Sequence, residues 1–143
     1  MDENNITSLS FAEYRLERAK EDLASAKLNY EHNLYKSANN RAYYAIFHAI
    51  RAVLALERVD FKKHKDVLAY FNKNYVKTEK FPKKMGHKIV VASNIREDSD
   101  YDDEFIACPE KTLEQIQTAE KLIKLVEEYL KKQQIKIYQW LNL

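Results

Sequence analysis

The chain has 143 residues, 45% of them hydrophobic, and a formal net charge of +2. That is one domain's worth of sequence with enough apolar material for a core, while one Gly and two Pro are too few turn formers for a turn-rich all-β fold. A single cysteine, Cys108, excludes an internal disulfide and a Cys-based zinc site.

The opening residues, MDENNITSL, are polar and acidic, so no signal peptide is expected. Ser10-Phe-Ala-Glu13 has the form of a capping box, with Ser at the N-cap and Glu three residues on. The helix it opens carries an apolar stripe at Ala12, Leu16, Ala19, Leu23, Ala26 and Tyr30 and should fade near Asn33. A second helix is expected from Lys36 to about Glu57. It is apolar on more than one side, with Ala42, Ala45, Ala49 and Val53 beside Tyr43, Phe47, Ile50 and Leu54, which suits a central position.

A third helix is expected from His64 to about Val76. Pro82 suits the first turn of a fourth, running to about Arg96. The acidic stretch EDSDYDDE (97–104) should follow as a loop. Pro109 suits the start of a long last helix with a stripe at Leu113, Ile116, Ala119 or Glu120, Ile123, Val126 and Leu130. The tail, with Ile137, Trp140 and Leu141, reads as a further short helix. The expectation is an all-α, up-and-down bundle of four to five helices. It forms a single domain over 1–143, with a core at about 11–131 and a C-terminal tail at 132–143. The longest apolar runs, Ala52–Leu56 and Ile89–Ala92, are too short to span a membrane, and a cytoplasmic place is expected.

Charge is unevenly laid out. Between Arg58 and Lys88 ten Lys/Arg stand against three Asp/Glu, a local +7, while the stretch 97–104 holds six acids and no base. A basic middle followed by an acidic knot suits an anionic partner, and equally suits solvated helix faces. Lys62, Lys63 and Lys65 are candidate contacts to RNA or another anion, with Lys83, Lys84 and Lys88 beyond them.

Several chemistries drop out on spacing. Gly86 is the only glycine, so no Gly-rich phosphate loop exists. The histidines at 32, 48, 64 and 87 are never three or four apart, so no helical metal pair forms. Asp98-Ser-Asp100-Tyr-Asp102 mimics the start of a calcium loop, but Asp103 and Pro109 occupy the positions of the required Gly and Glu. No metal and no cofactor are expected.

One stripe of the second helix is different. Arg41, Tyr44, His48 and Arg51 follow one another at steps of three and four, along one face. His can move a proton at a ribose hydroxyl near neutral pH, Arg can clamp a phosphate, and Tyr can stack on a base. Such a face could cut RNA without a metal. The same spacing also suits a snorkelling Arg and a hydrogen-bonded core His.

The stretch SANNRAYYAIFHAIRAVLALE (37–57) resembles the second helix of small HEPN-domain proteins. HKDVLAYF (64–71) and IREDSDYDDEF (95–105) are similar to two later segments of that family, in the same order. The likeness covers about residues 11 to 131. It implies a bundle of four or five helices, usually a homodimer. It also implies a ribonuclease using an Arg followed by a His after four to six positions, often the toxin half of a pair with a minimal nucleotidyltransferase antitoxin that adenylylates a tyrosine. Here the matching pair in helical context is Arg41 and His48. The later Arg96 has no His after it, and Tyr101 stands at the fifth position instead. Arg41, Tyr44 and His48 are therefore the candidate catalytic residues. Arg51, Arg96, Tyr101 and the three lysines are candidate binding residues, with Arg96 and Tyr101 expected at a second functional edge. The alternative function is a non-catalytic HEPN module that binds a nucleotide or docks a nucleotidyltransferase.

Overall fold

The computed structural model describes residues 2–101 and 106–142. The described residues form five α-helices: α1 (Asp2–Glu31), α2 (Tyr35–Ala55), α3 (His64–Phe71), α4 (Lys83–Tyr101) and α5 (Pro109–Asn142). A π-helical turn, Asn72–Val76, continues α3. No strand occurs among the described residues, so the fold is all-α, as the composition implied.

The C-terminal ends of α1 and α2 are set by one backbone motif. Asn33 takes a left-handed φ of 63°, Leu34 N–H donates to Asn29 O at 2.8 Å, and Asn33 N–H donates to Tyr30 O at 3.0 Å. This satisfies the last carbonyls of α1 and stops it where the stripe fades. Asn tolerates that backbone better than most residues. After α2, Arg58 takes the same place with φ 58°, and Val59 N–H reaches Leu54 O at 3.1 Å. An Arg is a costlier choice there. Its guanidinium reaches back to α1, donating to Ser8 Oγ at 3.0 Å and Asn4 Oδ1 at 3.2 Å, which holds the turn.

α2 is the central helix and touches α1, α3, α4 and α5. Thirteen of its residues are buried, including Ala38, Ala42, Ala45, Ala49 and Ala52, whose small side chains admit close neighbours. Ile46, Ile50 and Leu54 of α2, Phe71 and Tyr75, Met85 and Ile89 of α4, and Leu122 and Val126 of α5 form the centre of the core. Each such side chain removed from water contributes roughly 1.5–3 kcal/mol.

Three boundaries differ from expectation. Ser10 is exposed in the middle of α1 and caps nothing, because the apolar stripe reaches back to the buried Leu9 and the helix continues with it. The acidic stretch does not begin a loop at Glu97. α4 continues to Tyr101 and buries Ser99, while residues 102–105 lie outside the described residues. The tail is no separate helix. No Gly or Pro follows Pro109, so α5 runs unbroken for 34 residues with Trp140 exposed near its end. Within its stripe, Leu113 is 39% exposed, while Ile116, Ala119, Ile123, Val126 and Leu130 are buried.

Candidate functional site: an arginine and histidine cluster on aromatic rings

The polar stripe of α2 lies along the edge of its buried face, so its side chains rest on aromatic rings. Tyr43 and Phe47 point into the core, at 2% and 5% exposure. Arg41, Tyr44, His48 and Arg51 are half-buried beside them. The Arg41 guanidinium carbon sits 4.9 Å from the Tyr44 ring centre, and that of Arg51 sits 5.6 Å from the Phe47 ring. Cations hold this position over an aromatic face by electrostatic attraction to the ring.

α1 supplies Asp22 to this stripe. Its Oδ1 accepts a 3.0 Å hydrogen bond from Arg41 Nη1, and its Oδ2 faces His48 Nε2 at 3.7 Å. The second contact lies within ion-pair range, yet the imidazole is neutral. Burial, reinforced by the positive fields of Arg18, Arg51 and Arg15, lowers His48 to about 4. Burial also raises the Asp22 carboxyl, against the opposing pull of Arg41 and Arg18. Asp22 Oδ2, His48 Nδ1 and Arg51 Nε are buried here without a hydrogen bond. Buried orphans of this kind are uncommon in native folds.

The segment after α2 supplies Asp60. Arg51 Nη2 donates to its Oδ2 at 2.7 Å, and Arg15 of α1 stands 3.6 Å from the same oxygen. Burial alone would raise the Asp60 carboxyl. The Arg51 hydrogen bond and the Phe61 N–H outweigh it and leave the group below its usual range. A cavity of about 330 Å3 adjoins this contact, lined by Phe11, Arg15, Ala55, Arg58, Val59 and Asp60.

α3 supplies His64 as its first residue. The imidazole stacks on Phe47 with centroids 3.9 Å apart, lies 6.0 Å from Tyr43 and 5.9 Å from Tyr44, and its Nδ1 is 3.2 Å from Tyr43 Oη. Burial lowers its affinity for a proton, and Arg96 and Arg51 lower it further. α4 supplies Arg96, whose Nη2 donates to Tyr44 Oη at 3.3 Å. Its guanidinium carbon lies 5.2 Å from the Tyr43 ring and 5.7 Å from the Tyr44 ring.

Arg96 therefore does not belong to a separate edge. The α2–α4 packing brings it onto the rings of the first stripe, 52 residues away in sequence. The side chain of Tyr101 lies outside the described residues. Lys62, Lys63 and Lys65 are exposed and bracket His64 in sequence. The basic middle of the chain divides in two. Lys83 lies elsewhere, in a groove of about 590 Å3 with Lys73, Lys77 and His87 beside the π-helical turn. A further cavity of about 470 Å3 lies between α4 and α5, with His87, Lys88, Gln115 and Thr118 in its wall. Neither holds a residue of the aromatic cluster.

Five of the six arginines act on this one region: Arg15, Arg18, Arg41, Arg51 and Arg96. Among the described residues, Arg41 pairs with Asp22 while Arg15 and Arg51 share Asp60, so these three guanidiniums meet two carboxylates. Such a surface concentrates anions. The described residues contain no cluster of three His, Cys, Asp or Glu side chains that could hold a metal ion.

Sequence reasoning missed Asp22, Asp60 and His64. His64 carried a signal, since it opens the HKDVLAYF segment. Asp22 and Asp60 carried none, because each becomes notable only through a contact across the fold.

The family model for the HEPN domain matches residues 12–132. The chain is 45% identical over 74 residues to a UPF0332 protein of Thermotoga maritima, covering 52% of this chain and 56% of that protein. Two proteins of Methanocaldococcus jannaschii, each named "Putative toxin", are also similar. One is 37% identical over 86 residues, covering 60% of this chain and 64% of its own length. The other is 32% identical over 87 residues, covering 61% and 59%. The matched stretches thus span less than two thirds of the curated relatives' length.

Proposed function

This chain belongs to the HEPN-domain family, and from that premise we propose that it is a toxin-type member that cleaves RNA with side chains alone. The observation that carries the reading is the convergence of three arginines, Arg41, Arg51 and Arg96, and two histidines on the rings of Tyr43, Tyr44 and Phe47, with the charges of Arg15 and Arg18 felt at His48. Arginines neutralise a phosphodiester and the charge that grows on it in the transition state. Histidine moves the proton. The tyrosine edge offers a base a stacking surface. The names of the two archaeal relatives support the toxin class.

Within this reading, Asp22 holds Arg41 against Tyr44 and keeps the stripe in register, and Arg96 is the guanidinium that meets the phosphate. The toxin acts as a homodimer, restrained in the cell by a nucleotidyltransferase antitoxin. Light scattering is expected to give twice the 17.0 kDa of the chain at micromolar concentration. A monomer mass would remove the dimer from the proposal.

The experiment is direct. Purified protein is incubated with single-stranded RNA in EDTA, and the products are sized and their ends identified. Fragments ending in 2′,3′-cyclic phosphate, absent with Arg96→Ala, support cleavage.

A second reading has its own observation. Arg41 and Arg51 are already engaged by Asp22 and Asp60, as in a module that binds an anion or a partner without cutting it. Salt-sensitive RNA retention with no fragments would favour that module.

A further inference from the structure

The cluster contains two histidines, and they are not equivalent. We propose that His64 of α3, rather than His48 of the α2 stripe, is the residue that transfers the proton in RNA cleavage, beside a phosphate held by Arg96. The inference rests on the cleavage reading above and names the group that performs it.

The two histidines differ first in access. The His48 side chain is 12% exposed, its Nδ1 is buried without a hydrogen bond, and its Nε2 faces Asp22 at 3.7 Å. Nδ1 is closed to a phosphodiester, and at Nε2 the phosphodiester would meet the Asp22 carboxylate, which repels it. His64 is half-exposed at the first position of α3, next to the exposed Lys63 and Lys65. Its Nδ1 meets Tyr43 Oη, so Nε2 is the nitrogen left for a substrate.

Orientation points the same way. A catalytic imidazole works best when its second nitrogen and its ring plane are held by neighbours. Phe47 stacks on the His64 ring at 3.9 Å and 24°, and the Tyr43 hydroxyl fixes Nδ1. With Nδ1–H donating to Tyr43 Oη, Nε2 carries the lone pair and is the base.

Charge completes the pairing. Among the described residues, the charged and titratable groups around His64 include Arg51, His48, Tyr43 and Tyr44 from α2 and Arg96 from α4. Arg96 and His64 contact the same two tyrosine rings from different helices. Burial, and after it the charges of Arg96 and Arg51, favour the neutral form of His64, the form that accepts a proton. The imidazole of His48 is held even more firmly in that form, which makes it the poorer base for a ribose hydroxyl.

His64 Nε2 takes the proton of a ribose 2′-OH. The 2′ oxygen attacks the adjacent phosphorus while Arg96 donates to a non-bridging oxygen. The bond from phosphorus to the 5′ oxygen breaks, giving a 2′,3′-cyclic phosphate. The imidazolium delivers its proton, through water, to the departing 5′ oxygen, and neutral His64 is restored.

Two variants test this. His64→Phe keeps a ring to stack on Phe47 but has no nitrogen, and His64→Ala opens a space that free imidazole can enter. Both are expected to cleave RNA at least about 100-fold more slowly than the wild type, the usual scale of a lost general base. Imidazole in the buffer is expected to restore part of the His64→Ala rate, rising with pH as its neutral fraction rises, a response that a structural role would not produce. A wild type that cleaves, with His64→Phe within threefold of it, overturns this inference and leaves the cleavage reading standing. So does an inactive, folded His64→Ala that imidazole leaves unchanged. A wild type that does not cleave removes both.

Discussion

Asp22 and His48 face each other across the α1–α2 interface at 3.7 Å, and neither Asp22 Oδ2 nor His48 Nδ1 has a hydrogen bond. The pair is not a salt bridge at neutral pH, because burial among arginines lowers the imidazole to about 4. The carboxylate instead serves Arg41, and the histidine stays neutral. Each of the following expectations is read from that cluster or from the core that supports it.

Thermal stability should fall as pH drops from 6.5 toward about 4. The ordinary imidazole value of 6.5 applies in the unfolded chain, and the folded value is about 4. Between these the unfolded state binds the proton and the folded state refuses it, so stability is present above 6.5 and lost on acidification. The whole effect is at most about 3 kcal/mol, and the raised Asp22 carboxyl opposes it at the acid end. Unfolding curves of the wild type and His48→Gln at pH 7 and 5 check this. An unchanged pH slope in the variant would show that His48 does not titrate in this way.

Asp22→Asn should strengthen RNA binding. It removes the carboxylate that occupies Arg41 and adds one positive charge to the cluster. The slope of log affinity against log salt should steepen by about 0.7 for single-stranded RNA. Melting temperature should move by only a few degrees, because burial already penalises the Asp22 charge. Filter binding across a salt series measures the first, and calorimetry the second.

The triple replacement of Lys62, Lys63 and Lys65 by Glu should weaken RNA binding and flatten the salt dependence by about two in slope. These lysines are exposed, so the fold should survive. Equal affinity at every salt concentration would make them a solvated face and nothing more.

Gly86→Ala should destabilise the protein by about 1 kcal/mol, although Ala normally gains about that much over Gly inside a helix. A Cβ at Gly86 would lie 2.9 Å from Val76 Cγ1, and a β-branched side chain has little freedom to move away. In a Val76→Ala background the same change should become favourable. Urea unfolding of the four proteins closes the cycle.

The sequence by itself determined what depends on near neighbours. Helix stops follow from local backbone chemistry, which is why Asn33 and Pro109 mark the end of α1 and the start of α5 as read. The stripe of Arg41, Tyr44, His48 and Arg51 was equally legible, since helical steps of three and four are a property of the chain alone. Even the local rules were overridden at Ser10, where one more apolar contact at Leu9 outweighed a cap worth about 1 kcal/mol. The tertiary structure decided which groups meet that stripe. Asp22 reaches Arg41 across 19 positions, His64 reaches Tyr43 across 21, and Arg96 reaches Tyr44 across 52. No periodicity encodes those encounters. They arise because the buried alanine-rich face of α2 draws α1, α3 and α4 against it, and the polar residues at the edges of those helices are carried into contact by the packing.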